Sequence, residues 1–338
     1  MIFIDSQTYL FIILKVFKQA PITSEIKDRS FIIPVYSGLF FLLKYHRIVD
    51  PSLEMAYENN LVKNFVEETR LNGNPVHYSR SLALQSEFYS RQGQYPDALL
   101  CHNQLKKVYK VEKHSALVVE AYGADKSAQN YGTSANSLYR LGRVKEALEM
   151  SNFILCDIMP RMDLRNVNNS IKILYPVLLI LNNESLSKRA ASVLERFVCE
   201  PFRLYSNEKE NTFLIALLDP LKLLLSIRMY MQGELQKLDS DLISWALKAD
   251  SLMCPILVDK LLAHYGRCVS SIGAEICLLL FKHTEDQSDR KHLVEKGWKL
   301  AQTSMKTAIK CGSHQTIYFE TKPIYDELSI LHESFTMR

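Results

Sequence analysis

The side chains that most often carry chemistry in proteins occur here without the spacing that such chemistry requires. The seven cysteines include no CxxC pair and the nine histidines include no HExxH motif, so the usual ligand spacings of a zinc site are missing. The sequence also has no GxxxxGK[ST] phosphate loop, no GxGxxG turn, no DxDxDG loop and no GxSxG motif. We therefore expect no catalytic residue, no metal and no cofactor. An enzyme with an unrecognised site stays an alternative, because catalytic partners that are distant in sequence can meet in space.

Charge and composition narrow the classes of partner. The 41 Lys and Arg exceed the 37 Asp and Glu by only four, and the basic residues are scattered, so we expect no nucleic-acid partner. Hydrophobic residues make up 47% and charged residues 23%, as in ordinary globular proteins. Most cysteines lie among apolar neighbours, as in residues 153–156, which predicts buried thiols in a reducing compartment, the cytoplasm.

The N-terminal segment is more apolar than the rest. Residues 9–14 and 31–43 form uncharged apolar runs, and the longer run is well short of the roughly 20 residues that a membrane-spanning helix needs. We interpret residues 1–70 as apolar helices that pack against the remainder of the chain, and we expect no membrane association. An adaptor attached to a membrane through residues 1–43 is the alternative.

Helical signals dominate from there onward. Only 11 Gly and 11 Pro are present, and no hairpin turn separates alternating β-branched runs, so the chain is predicted to be all-α. Gly and Pro positions divide residues 71–338 into antiparallel helix pairs. The predicted helices are 79–92, 96–110, 125–141, 145–158, 169–181, 185–199, 212–231, 236–252, 255–282, 289–310 and 322–332.

Two helix junctions share a pattern that resembles the middle of a tetratricopeptide (TPR) unit. A helix end is followed by Gly, by an apolar residue two positions later and by Ala five positions after the Gly. The two triplets are Gly93, Tyr95, Ala98 and Gly142, Val144, Ala147. Gly permits the tight turn, and the small Ala permits close crossing of the two helices. Both junctions predict antiparallel helix pairs stacked in an array.

Later helices carry the second-helix pattern of the same family. Ala301, Met305 and Ala308 match the small–apolar–small spacing best, and Ala190 begins a looser match. The candidate alanines at 98, 147, 190, 246 and 301 are separated by 49, 43, 56 and 55 residues, whereas a TPR unit repeats at about 34. We therefore predict an irregular TPR-like superhelix.

Two polar-aromatic segments next to predicted loops are candidates for a peptide-binding groove. They contain Asn74, His77 and Tyr78 in one case, and Tyr122 and Asp125 in the other. In a superhelix these side chains could face the groove. Helix capping by Asn74 or Asp125 explains the same residues equally well.

Four short motifs give the chain a more specific resemblance. They are GNPVH at 73–77, GQY at 93–95, YGADKSA at 122–128 and PRMD at 160–163. In these motifs, and broadly from residue 31 to 331, the chain resembles the C-terminal helical-repeat region of large multidomain AAA/STAND-type signalling ATPases of unicellular algae. In those proteins the ATPase module, sometimes with a kinase or cyclase module, precedes the repeats.

The resemblance carries expectations about function. The nucleotide-binding residues of those ATPases lie upstream and have no counterpart here, so the resemblance implies no ATPase activity in this chain. It implies a protein-interaction or regulatory scaffold with a protein or peptide partner. Such a chain would be either a free-standing adaptor or the sensor region of a signalling ATPase represented by a truncated gene.

Overall fold

The computed structural model describes residues 33, 36, 51–205, 212–235, 269–310 and 314–336. Within these ranges the chain is built from helices and contains no β-strand, which confirms the all-α prediction. The predicted helix 236–252, the first part of 255–282 and almost all of the apolar N-terminal runs lie outside the described residues.

Thirteen α-helices are described. In chain order they are α1 Pro51–Asn72, α2 Pro75–Arg91, α3 Tyr95–Val108, α4 Val111–Tyr122, α5 Lys126–Arg140, α6 Val144–Phe153, α7 Val167–Asn183, α8 Ser187–Leu194, α9 Glu200–Tyr205, α10 Thr212–Met231, α11 Val269–His283, α12 Gln287–Lys310 and α13 His314–Thr336. A π-turn, Ile154–Ile158, and a 3-10 turn, Met159–Arg161, extend α6, and the π-turn Glu195–Cys199 joins α8 to α9.

Two proline-based predictions were wrong. The helix predicted over 185–199 was expected to stop at Pro201, but the chain stays helical through the π-turn Glu195–Cys199 and into α9, which has Pro201 at its second position. Pro323 was expected in a first helical turn, but α13 begins at His314 and continues through it. Thr321 and Leu328, on either side of this proline, are both fully buried, so packing holds the helix together across the missing donor.

Helix α4 was not predicted at all. It is short and mostly exposed, and it buries only Val111, Ser115 and Val118. It ends at Gly123, whose φ of 72° closes the helix in the left-handed conformation. No Gly or Pro lies between Pro96 and Gly123, so the residues that marked the other helix ends are missing between α3 and α4.

Four helix ends share one turn geometry. The residues with positive φ are Gly93, Gly142, Ser185 and Gly233, at 74°, 72°, 60° and 73°. In each turn the next residue donates its N–H to the carbonyl five residues earlier, at 2.9, 3.0, 2.8 and 2.9 Å. This is the Schellman pattern, which satisfies the last carbonyls of a helix. The turns recur at intervals of 49, 43 and 48 residues, each longer than the roughly 34 residues of a TPR unit.

The described residues cluster into two compact units. The first unit comprises the described residues up to 88 together with 100–127, and the second comprises 89–99 together with the described residues from 128 onward. The predicted division into 1–70 and 71–338 stays a prediction.

In the second unit the first helices of successive pairs pack in a row. Gln129 of α5 donates to Asn169 of α7 at 2.7 Å, and α7 in turn contacts α10. Helix α10 packs on α11, and α11 packs on both α12 and α13. Residues 173–182 of α7 are all buried, which makes this helix the centre of the unit.

Candidate protein-binding groove

An open groove lies in the second unit where several helices end. We call it the helix-end groove, and it encloses about 490 Å³, within the range of ligand-binding clefts. It is formed by the last turns of α5, α7 and α10, by the second half of α11 and by the middle of α13. Its lining residues are Arg140, Asn183, Arg228, Met231, Glu275, Leu278, Leu279, Lys282, Pro323, Ile324 and Glu327.

Three of these residues occupy the same position relative to a helix end. Arg140, Asn183 and Met231 each lie two residues before the left-handed residue of their turn. Helices α5, α7 and α10 therefore present equivalent positions to one groove, although the three side chains differ in chemistry.

The charged side chains of the groove form two ion pairs. The Arg228 guanidinium donates to the Glu275 carboxylate, whose side chain is only 7% exposed. The Lys282 ammonium lies 2.8 Å from the Glu327 carboxylate, and both of these side chains are about half exposed. The first pair joins α10 to α11 in a largely buried position, and the second joins α11 to α13 near the solvent.

Apolar side chains lie beside the ion pairs. Leu278 and Leu279 are 4% and 6% exposed and form part of the wall. Met231 is 43% exposed, which is unusual for a large apolar side chain that lines a cavity. The groove thus combines charged groups with apolar surface that is accessible to a ligand.

Polar side chains at the margin of the groove brace the turns. The Tyr139 hydroxyl donates to the Glu184 carboxylate at 2.9 Å, and burial followed by this carboxylate raises the pKa of Tyr139 to about 12. Ser187 donates to the Asn182 side-chain oxygen at 3.1 Å and accepts from the Gln232 side-chain amide at 3.2 Å. These contacts tie successive turns to one another.

The predicted repeat residues take positions in turns and in the core. Gly93 and Gly142 are turn residues with positive φ. Tyr95 is buried, and Val144 and Met305 are partly buried. Ala98, Ala147 and Ala190 follow their turns by five residues and are at most 1% exposed, and Ala301 is fully buried. Ala308 lies in α12, where its side chain is not described. None of these residues is among those that line the helix-end groove.

The residues predicted for a peptide groove lie in the first unit instead. Asn74 is exposed, and its side-chain oxygen accepts from the Val76 N–H at 2.9 Å, so it caps α2. Asp125 is fully buried and accepts from the Tyr109 hydroxyl at 2.5 Å. A carboxylate in this position is not presented to a peptide, and Tyr78 is only partly exposed.

His77 and Tyr122 are brought together by the fold. The His77 Nδ1 atom and the Tyr122 hydroxyl oxygen are 2.6 Å apart, and the Arg80 guanidinium lies 4.3 Å from the Tyr122 ring centroid. Burial lowers the pKa of His77 and raises the pKa of Tyr122 to about 12. Both groups are therefore neutral near pH 7. Next to them a buried ion pair joins Lys126 to Glu87 at 3.1 Å, as expected for a packed polar network.

The cysteine prediction needs one correction. Cys101, Cys199 and Cys277 are buried, as expected, and burial raises the pKa of the Cys277 thiol to about 12. Cys156 is exposed, because the π-turn gives the buried positions to Ile154, Leu155 and Ile158. The other three cysteines lie outside the described residues.

Comparisons with other proteins add no relative. No protein-family model, no curated protein and no solved structure matches the chain. Within the described part of the chain, no cluster of three His, Cys, Asp or Glu side chains is placed to hold a metal ion. Across the same residues no helix combines the length and apolar character needed to cross a membrane. The segment considered for an N-terminal anchor, 1–43, falls outside that description apart from residues 33 and 36.

Proposed function

We propose that this chain is a protein-interaction or regulatory scaffold, folded as an irregular TPR-like superhelix, that binds a segment of a partner protein in the helix-end groove. The observation that carries the proposal is the shared register of Arg140, Asn183 and Met231, which lie at equivalent helix ends and line one groove. In helical-repeat proteins, equivalent positions of stacked units form extended binding surfaces. A peptide segment that follows this row of helices would contact several units at once.

The chemistry of the groove supports a peptide as its occupant. Peptides offer both apolar side chains and hydrogen-bonding groups, and the groove offers both kinds of partner. Met231 is unbranched and exposed, so its side chain can adapt to more than one ligand shape. The two ion pairs hold α10, α11 and α13 in place before a ligand arrives, which lowers the cost of ordering on binding.

The resemblance to algal signalling ATPases places the proposal in a larger setting. In such a protein, partner binding would favour one of two arrangements of the repeats and the ATPase module, and so regulate the ATPase. In a free-standing chain the same groove would recruit the partner alone. Immunoblotting of the endogenous protein distinguishes a segment of an ATPase from a free-standing chain. A segment of an ATPase gives a product much larger than this chain, and that product also contains ATPase peptides.

A matched pair of substitutions tests the groove itself. Met231→Gln removes an exposed apolar side chain inside the groove, and Leu204→Gln removes one that is 66% exposed and does not line it. Affinity capture from native extract, read by mass spectrometry, should recover a partner with the wild-type chain and with Leu204→Gln. Met231→Gln should lose most of it. Equal recovery by both variants, or no partner for a chain shown to be folded, would contradict the proposal.

A further inference from the structure

We propose that helix α4 is a pH-sensitive element, which a neutral histidine holds at each end and which loosens when these histidines take up protons. This inference is independent of the helix-end groove, because α4 belongs to the first unit. It rests on one close contact of an imidazole ring at each end of the helix and on the small buried surface of α4.

Helix α4 depends on its contacts with the rest of the first unit. It has 12 residues, and isolated helices of about this length are marginal in water. Its buried residues are Val111, Ser115 and Val118, whereas Leu117 is 48% exposed. Contacts at the two ends therefore matter more for α4 than they would for a deeply buried helix.

The contact at the start of α4 requires a neutral imidazole. The backbone N–H of Lys110, the residue before the helix, donates to Nδ1 of His114 at 2.9 Å. Such a bond from a side chain in the first turn satisfies an N–H group that has no partner within the helix. A backbone N–H can only donate, and an imidazolium carries hydrogen on both ring nitrogens. Protonation of His114 therefore breaks this bond.

The contact at the end of α4 also favours a neutral ring. Nδ1 of His77 on α2 lies 2.6 Å from the hydroxyl oxygen of Tyr122, the last residue of α4, and the two rings meet edge to face. Burial raises the pKa of Tyr122 to about 12, so its hydroxyl keeps the proton and can donate it to neutral His77. The Arg80 guanidinium lies 4.3 Å from the centroid of the same tyrosine ring. Protonation of His77 would therefore place a second positive charge in this partly buried contact.

The direction of the pH effect follows from the burial of His77, which lowers its pKa from the ordinary 6.5. When α4 is released, the ring is exposed and takes up its proton at a higher pH than it does when α4 is held. The held state is therefore disfavoured as pH falls below about 6.5, and the loss is complete below the lowered pKa. Loss of the His114 bond on protonation acts in the same direction.

Two carboxylates of the surrounding network are already engaged. Tyr109, whose ring centroid lies 6.0 Å from that of His114, donates to the Asp125 carboxylate at 2.5 Å. The Glu87 carboxylate forms its ion pair with Lys126 at 3.1 Å. A protonated histidine would have to compete with these partners for a carboxylate. The charged side chains next to His114 on α4 are exposed and of opposite sign, Glu112 and Lys113.

Hydrogen exchange of the full-length chain, read by mass spectrometry, tests the inference. The protection of α4 peptides is compared at pH 7.5 and pH 5.5, after correction for the intrinsic dependence of exchange on pH. Helix α7 is the internal reference, because its central turns are buried and it contains no histidine. In the wild-type chain the protection of α4 should fall roughly fivefold to tenfold, as expected for the loss of one or two hydrogen bonds, and that of α7 should not change.

Substitutions separate the two histidines from other effects of acid. His77→Gln and His114→Gln each introduce a side chain that cannot take up a proton but whose oxygen still accepts hydrogen bonds. The double variant should keep the protection of α4 nearly constant between the two pH values. His292→Gln is the matched control, because His292 is exposed on α12 in the second unit, and this variant should show the wild-type fall. Tyr122→Phe removes the hydroxyl and should lower the protection of α4 at pH 7.5.

Three results would overturn the inference. The first is constant protection of α4 in the wild-type chain, a measurement that needs no variant and so does not depend on whether the variants fold. The second is an equal fall in the wild-type chain and in the folded double variant. The third is an equal loss of protection in α7, which would mean that acid opens the chain as a whole and not α4.

Discussion

The close crossing of α5 and α7 makes a sharp prediction about Gly132. A Cβ atom added at Gly132 would stand 2.4 Å from the carbonyl oxygen of Ile173 and 3.5 Å from the Pro176 ring. The nearest atom belongs to the backbone of α7, which is buried along its central turns and cannot move without disturbing the core. Gly132→Ala therefore introduces a contact that no change of side-chain rotamer can relieve.

The expected size follows from two opposing effects. Replacing Gly by Ala inside a helix stabilises it by roughly 0.5–1 kcal/mol. Overpacking a well-packed interior typically costs about 1–3 kcal/mol, and a backbone contact lies at the upper end of that range. We expect Gly132→Ala to lower the free energy of unfolding by about 1–2 kcal/mol. Because this crossing also positions Arg140 and Asn183, the variant should bind groove ligands more weakly.

Urea denaturation followed by far-UV circular dichroism provides the assay, and Gly142 provides the matched control. Gly142 has a φ of 72°, and a Cβ atom added there would meet no other atom within 4 Å. The stability of Gly142 variants should therefore depend on backbone conformation and not on crowding. Asn tolerates that conformation better than Ala. Gly142→Asn should thus be more stable than Gly142→Ala, whereas Gly132→Asn should be no better than Gly132→Ala. A Gly132→Ala protein as stable as the wild type would refute the reasoning.

Three further predictions concern the core, the ion pairs and pH. Ala147→Leu should destabilise the chain by about 1–3 kcal/mol in urea denaturation, because Ala147 is fully buried at a helix crossing. Glu275→Gln should lower the free energy of unfolding more than Glu327→Gln does. The first substitution leaves the partly buried Arg228 without its ion pair, whereas the Lys282–Glu327 pair is about half exposed. Equal losses of stability would contradict the reasoning from burial. For Tyr139, a folded-state pKa of about 12 against an ordinary 10 means that the folded state holds the proton more tightly. Stability should therefore fall as pH rises from 10 to about 12, and Tyr139→Phe should show a smaller fall over that interval in equilibrium unfolding.

Residue types alone indicated where some of the helices end. Gly93 and Gly142 marked helix ends because the left-handed conformation costs Gly little, and few other residues favour it. The same rule missed Ser185, which occupies the equivalent turn with a φ of 60°. In retrospect Ala190 carried a signal, because it follows Ser185 by the same five residues that separate Ala98 from Gly93.

The groove was not predicted, although one signal for it was present. Arg140, Asn183 and Met231 line the groove, and each lies two positions before the left-handed residue of its turn. The sequence shows this spacing once the turn residues are known. The residues predicted for a peptide groove do not line the helix-end groove, and polar and aromatic residues near loops serve helix capping and buried networks equally well. Asn74 and Asp125 have these roles.

The sequence by itself determined that the chain is helical and where several of its helices turn back, because these features depend on local backbone preferences and on the periodicity of apolar residues. Only the tertiary structure decided that α13 continues through Pro323 and that Arg228 meets Glu275 across 47 residues. It also decided that the last turns of α5, α7 and α10 converge with α11 and α13 on one groove. These outcomes depend on how buried surfaces fit together, and that fit is settled by contacts between residues far apart in the chain.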